Sequence, residues 1–159
     1  MQNEKQSRFR AYALSIAIAL ATGALAALLT FRNMRAYETL AQPPLAPPGW
    51  VFPIVWTILY TLMGISAARV WLSESPTRRD ALLVYALQLF LNFGWTILYF
   101  GFQLRFAAFI WIVVLAGVIV VMISLFTAVD RKAGLLQLPY LLWVLFASYL
   151  NLGVVLRNQ

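Results

Sequence analysis

The chain has 159 residues, of which 63% are hydrophobic and only 11% charged, with a mean hydropathy of +0.82; so little polar surface cannot coat a water-soluble domain of this length, and the composition is that of an integral membrane protein. No cysteine or histidine is present, which excludes disulfides, thiolate nucleophiles, imidazole acid–base chemistry, zinc sites and haem-iron ligation by either side chain. The net charge of +7 comes from basic residues scattered between apolar runs, so it reports on topology and not on a nucleic-acid-binding face.

A bilayer core about 30 Å thick is crossed by about 20 predominantly apolar residues in a helix. The first such run, residues 11–31, follows Lys5, Arg8 and Arg10 and is too long for the core of a signal peptide, so it reads as a retained span. Four further helices are expected over about 49–72, 79–102, 106–129 and 133–156, separated by the short polar turns SESPTRRD, GFQLRF and DRKAG. Connections this short make neighbouring helices antiparallel. The fold class expected is all-α, a membrane bundle of five transmembrane helices forming one domain over 1–159, with no internal repeat.

On that arrangement the N-terminus, the Arg78/Arg79 turn and the Arg131/Lys132 turn share one side, while Arg32, Arg35, Arg105 and Arg157 share the other. Seven basic residues against four put the N-terminus inside and the C-terminus and the first loop outside. Arg69, near the inner end of the second helix, can snorkel to that same inner side.

The one long connection, residues 32–48, ends in QPPLAPP. Proline fixes φ near −65° and pushes the preceding residue into extended geometry, so this stretch is expected to be stiff and polyproline-like. It serves either as a connector that stops helices or as a rigid lid over the outer mouth of the bundle. Pro53 falls in the first turn of the second helix, where a missing N–H costs little.

Within the helices, Trp56, Tyr60 and Met63 recur on one face, as do Gln88, Asn92, Trp95 and Tyr99 on the third helix and Trp143, Ala147 and Asn151 on the fifth. Trp50, Trp71 and Trp111 suit a membrane-interface belt. Amides facing lipid are costly, so Gln88 and Asn92 should point into the bundle, either as bonds between helices or as contacts to a ligand. A cavity of ring faces with a few amides suits a large, flat, mostly apolar ligand. None of the acidic residues (Glu4, Glu38, Glu74, Asp80, Asp130) lies mid-span, which disfavours ion-coupled transport. Ala19, Gly23 and Ala27 form a small-residue face suited to close helix contact and to self-association.

Three segments, YETLAQPPLAPPGWVFPIVWTILY (37–60), QLFLNFGWTILYF (88–100) and LPYLLWVLFASYLN (138–151), resemble in order and spacing the translocator protein family, also known as tryptophan-rich sensory proteins. The resemblance implies a five-helix bundle, usually a homodimer in the lipid bilayer, with a loop-capped pocket for porphyrin, haem and similar small molecules and no required cofactor. It further implies ligand contacts at Tyr37, Pro47, Trp56, Tyr60, Gln88, Asn92, Trp95, Trp143 and Ala147. Some members degrade porphyrin in light, and the two tryptophans implicated correspond to Trp56 and Trp143. Alternatives to a tetrapyrrole receptor are therefore that photochemical activity, or a membrane interaction module without a small ligand. The loop departs from the family pattern at Ala36, Gln42 and Leu45, which stand where Trp, Lys and Trp are common. The sterol motif of some relatives is not met, since the first basic residue after Tyr149 is Arg157.

Overall fold

The computed structural model describes residues 2–33 and 39–158. Among the described residues, five helical segments are long and apolar enough to cross a membrane. α1 covers Gln2–Thr30, α2 Val51–Trp71, α3 Arg78–Thr96, α4 Arg105–Val129, and the last span consists of a short α5, Arg131–Leu135, followed by α6, Leu138–Arg157.

Three boundaries differ from the sequence expectation for physical reasons. α1 begins nine residues before residue 11, because an apolar run marks the part of a helix that lipid requires and not where the helix starts; Gln, Glu, Lys and Arg all propagate a helix well. The last span is divided at Leu136 and Gln137. Pro139 has no N–H for the Leu135 carbonyl, so it is accommodated only in the first turn of a new helix. α3 ends in a five-residue π turn, Ile97–Gly101, closed by Phe102 N–H donating to the Ile97 carbonyl at 2.9 Å.

Around the bundle the helices follow the order α2, α1, α3, α4, α6, each packed closely on the next, whereas α2 and α6 face each other without comparable backbone approach. Close packing elsewhere rests on small residues. A Cβ on Gly64 would meet the Cα of Ile16 and lie 2.7 Å from its backbone nitrogen, and backbone cannot yield as a side chain can. Gly64→Ala is therefore expected to push α1 from α2 and destabilise the fold by about 1–3 kcal/mol, read as earlier thermal unfolding in detergent; an unshifted transition would show that the two helices are not this close.

Ala19 is fully buried and a Cβ on Gly23 would enter the ring of Tyr60, so two of the three small residues expected to favour self-association are used inside the bundle; only Ala27 is exposed. Trp111 is likewise not a belt residue. Its Nε1 donates to the Leu91 carbonyl at 2.7 Å and its ring lies where a side chain on Gly94 would have to be, tying α4 to α3. Trp50 and Trp71, 68% and 59% exposed, have the exposure a belt requires.

The two ends of the bundle are fixed by contacts. At one, Arg69 near the end of α2 pairs at 2.7 Å with Asp130 at the α4–α5 corner. Asp130 also caps α5, accepting from Ala133 N–H at 3.0 Å. Burial pushes the Asp130 carboxyl up, but the Arg69 guanidinium and the Ala133 amide outweigh it and hold the carboxyl below its ordinary value. A group depressed in the folded state stabilises fully above its unfolded pKa of about 4 and loses that contribution as pH falls through the lower folded value. Asp130→Asn, which keeps the cap, should therefore cost about 0.5–1 kcal/mol at neutral pH and flatten the acid limb of stability; an unchanged acid limb would place that sensitivity elsewhere.

Candidate functional site

The gap between α2 and α6 is filled by rings. From α2, Phe52 and Trp56 point across it; from α6, Tyr140 and Trp143 point back, with Phe146 beside Trp143. Trp56 lies 5.5 Å from Tyr60 and 6.3 Å from Tyr140 between ring centroids, Phe52 meets Trp143 edge-on at 5.8 Å, and Trp143 meets Phe146 at 5.6 Å. Trp56 and Trp143 are each only half-buried, and separations of this kind are favourable for aromatic pairs. The Trp143 Nε1 is buried and has no hydrogen-bond partner among the described residues. It is a free donor at the heart of the slot.

Behind the rings runs a closed polar chain. The Tyr60 hydroxyl donates to Asn92 Oδ1 at 2.9 Å, Asn92 Nδ2 donates to the Tyr140 oxygen at 2.8 Å, and the Tyr140 hydroxyl donates to Gln88 Oε1 at 2.8 Å. Gln88 Nε2 faces the Met63 sulfur at 4.0 Å. All of these residues are buried, and Gln88 and Asn92 are fully so. Both amides thus bond α2, α3 and α6 together, as a polar group in an apolar bundle must. Trp95, also buried, donates from Nε1 to Asn151 Oδ1 at 3.2 Å and stacks on Tyr99 at 5.5 Å, while Asn151 Nδ2 holds the Arg105 carbonyl at 2.8 Å. Ala147 is buried on α6, one turn beyond Trp143.

The proline segment is pinned to the outer part of α6 and to Asn158 beyond it. Ala41 and Asn158 exchange two hydrogen bonds of 3.0 Å, the Tyr149 hydroxyl donates to the Pro44 carbonyl at 2.9 Å, and the Pro43 ring sits where a Cβ on Gly153 would come within 2.5 Å. The extended run expected from QPPLAPP is broken by a tight turn. Ala46 N–H donates to the Pro43 carbonyl at 3.3 Å and Leu45 takes a left-handed φ of 67°. Pro44 presets the first turn position, and the hydrogen bond offsets the strain of a non-glycine residue at the second. Leu45 is 82% exposed, so the residue that replaces a family tryptophan points away from the slot. Pro47 is half-buried beside the turn. Tyr37, together with Ala36, lies outside the described residues. Tyr149→Phe removes one lid anchor, worth about 0.5–1.5 kcal/mol; residues 39–48 should then exchange backbone amide hydrogens about threefold to tenfold faster, and unchanged exchange would mean that this bond does not hold the lid.

Of the residues expected from the sequence, Trp56, Tyr60, Gln88, Asn92, Trp95, Trp143 and Ala147 thus lie on the inner faces of α2, α3 and α6. Tyr140, central to both the ring array and the polar chain, was missed. It precedes Trp143 by three residues and Ala147 by seven, so extending the α6 stripe by one turn would have found it.

The arrangement has counterparts in known proteins. Residues 15–157 match the TspO/MBR family. The chain is 39% identical over 150 residues to the tryptophan-rich protein TspO of Chlorobaculum tepidum, covering 92% of this chain and 94% of that protein. It is 36% identical over 122 residues to the tryptophan-rich sensory protein of Cereibacter sphaeroides, covering 77% and 76%. Against the translocator protein of Ovis aries the identity is 32% over 130 residues, covering 80% and 77%.

Proposed function

The chain belongs to the TspO/MBR family, and from that premise we propose that it is a membrane receptor binding porphyrin, haem or a similarly flat, mostly apolar molecule in the slot between α2 and α6, in a sensory or translocating role. It is a multi-pass integral membrane protein. The observation that carries the reading is the pair of half-buried indoles, Trp56 on α2 and Trp143 on α6, each meeting a ring of the opposite helix where α2 and α6 approach through rings and not through backbone. A macrocycle entering there stacks on rings from both sides, and the unpartnered Trp143 Nε1 gives it one fixed donor. The ligand does not need Gln88 or Asn92, whose bonds are already made.

The count of basic residues, seven against four, supports an orientation with the N-terminus inside and the proline segment outside. On that orientation the ligand enters from the outer face, beneath the Pro43–Pro44 turn. Titrating the purified protein with protoporphyrin tests the reading. Saturable quenching of tryptophan fluorescence, accompanied by a shift of the porphyrin absorption band, is the result expected; linear, unsaturable quenching equal to that of detergent alone contradicts it.

A further inference from the structure

At the opposite end of the bundle, Arg8 and Tyr12 of α1, Arg69 of α2, Leu72 and Ser73 just beyond it, and Asp130 line an open cleft of about 230 Å³. Arg69 follows Trp56 by thirteen residues, about 20 Å along a helix rising 1.5 Å per residue, so this cleft is separate from the aromatic slot.

Hydrogen-bond donors exceed acceptors here. Asp130, the one carboxylate of the lining, already accepts from Arg69 at Oδ2, 2.7 Å, and from the Ala133 amide at Oδ1, 3.0 Å, and Arg69 is also engaged by the Tyr12 hydroxyl. Arg69 still has Nε buried and without a partner among the described residues. The Arg8 guanidinium makes no ion pair or hydrogen bond among the described residues. Ser73 Oγ accepts from the Ser75 amide at 3.1 Å, which leaves its own proton free to donate. Two guanidinium groups and one carboxylate sum to one positive charge. Arg78, at the same end, is otherwise engaged: it donates to the Trp71 and Ser73 carbonyls at 3.2 and 2.9 Å with its guanidinium over the Trp71 ring.

A buried, unsatisfied guanidinium N–H is costly, and a fork of such donors is matched by an anion with several oxygens. We infer that this cleft binds a singly charged phosphate group, with Arg8 and Arg69 as its charged contacts and Ser73 as a neutral donor. Phe9, beside Arg8, is largely exposed, so a lipid phosphodiester can present its headgroup here with its chains alongside α1; free phosphate offers the same oxygens.

The test uses the full chain in detergent, titrated in parallel with dioctanoyl phosphatidylglycerol and with inorganic phosphate, and followed by native mass spectrometry and melting temperature. One ligand should bind, and Arg8→Gln should weaken it about tenfold through loss of a charged hydrogen-bonded contact. Ser73→Ala should weaken it about threefold. Lys132→Gln, exposed at the same end but outside the cleft, should leave it unchanged. Binding of the lipid alone identifies a headgroup site; binding of inorganic phosphate with the same Arg8 dependence identifies a free-anion site. No binding of either, or equal losses in Arg8→Gln and Lys132→Gln, overturns the proposal.

Discussion

Replacing Trp56 and Trp143 together by alanine is expected to weaken protoporphyrin binding roughly a hundredfold, from the loss of about 3 kcal/mol of ring contact. The two residues stand on opposite walls of the slot, one beside Tyr60 and Tyr140 and the other beside Phe52 and Phe146. Each single change removes one wall and should cost about tenfold. Among the described residues neither indole carries a hydrogen bond between helices, but both pack against the core. Each variant's thermal unfolding is therefore measured beside its affinity, and Trp56→Phe, Trp143→Phe serves as the better-packed second variant. Trp71→Ala, on an exposed residue at the far end of α2, is the control and should leave the affinity unchanged. Affinity is read from the porphyrin absorption band, which does not depend on the tryptophans removed. Equal affinities for the double variant and Trp71→Ala would place the ligand elsewhere.

Asn92→Leu is expected to destabilise the fold by about 2 kcal/mol, because it leaves the Tyr60 hydroxyl without its acceptor and the Tyr140 oxygen without its donor inside the bundle. The loss is specific to the chain of bonds. Adding Tyr60→Phe to Asn92→Leu removes the stranded hydroxyl as well, and should recover part of the loss instead of deepening it. Thermal inactivation half-lives in detergent measure this, since unfolding of a membrane protein is commonly irreversible. If the two changes simply add, Tyr60 and Asn92 are not coupled.

The five spans were legible in the sequence because lipid imposes a composition that nothing else requires. Their ends were less so. Residues 2–10 of α1 are polar helix in no need of an apolar pattern, and the break before Pro139 reads clearly only once the Leu135 carbonyl is seen to lack its donor. The π turn after Thr96 carries no residue type that announces it. Trp56, Trp95 and Trp143 stood out by spacing, but spacing does not say which ring is buried and bonded, as Trp95 is, and which is only half-buried. Gln88 and Asn92 were legible as inward-facing; that they bond to Tyr60 and Tyr140 depends on helix rotation, which a single sequence does not encode. The small-residue face of α1 was equally visible, but its partner, α2 through Tyr60 and Gly64, was not. Leu45 shows the same limit. Its identity departs from the family loop, yet only its positive φ shows that the side chain turns outward.

A flat tetrapyrrole-like ligand between α2 and α6 beneath the proline turn is what the ring array is proposed to hold. A structure of the protein with protoporphyrin bound tests this most directly. The macrocycle is expected between the rings of Trp56 and Trp143, with the Trp143 Nε1 donating to it and the Tyr60–Asn92–Tyr140–Gln88 chain intact behind it. A macrocycle on the lipid-facing surface of the helices, with the rings between α2 and α6 packed as they are without ligand, would contradict it.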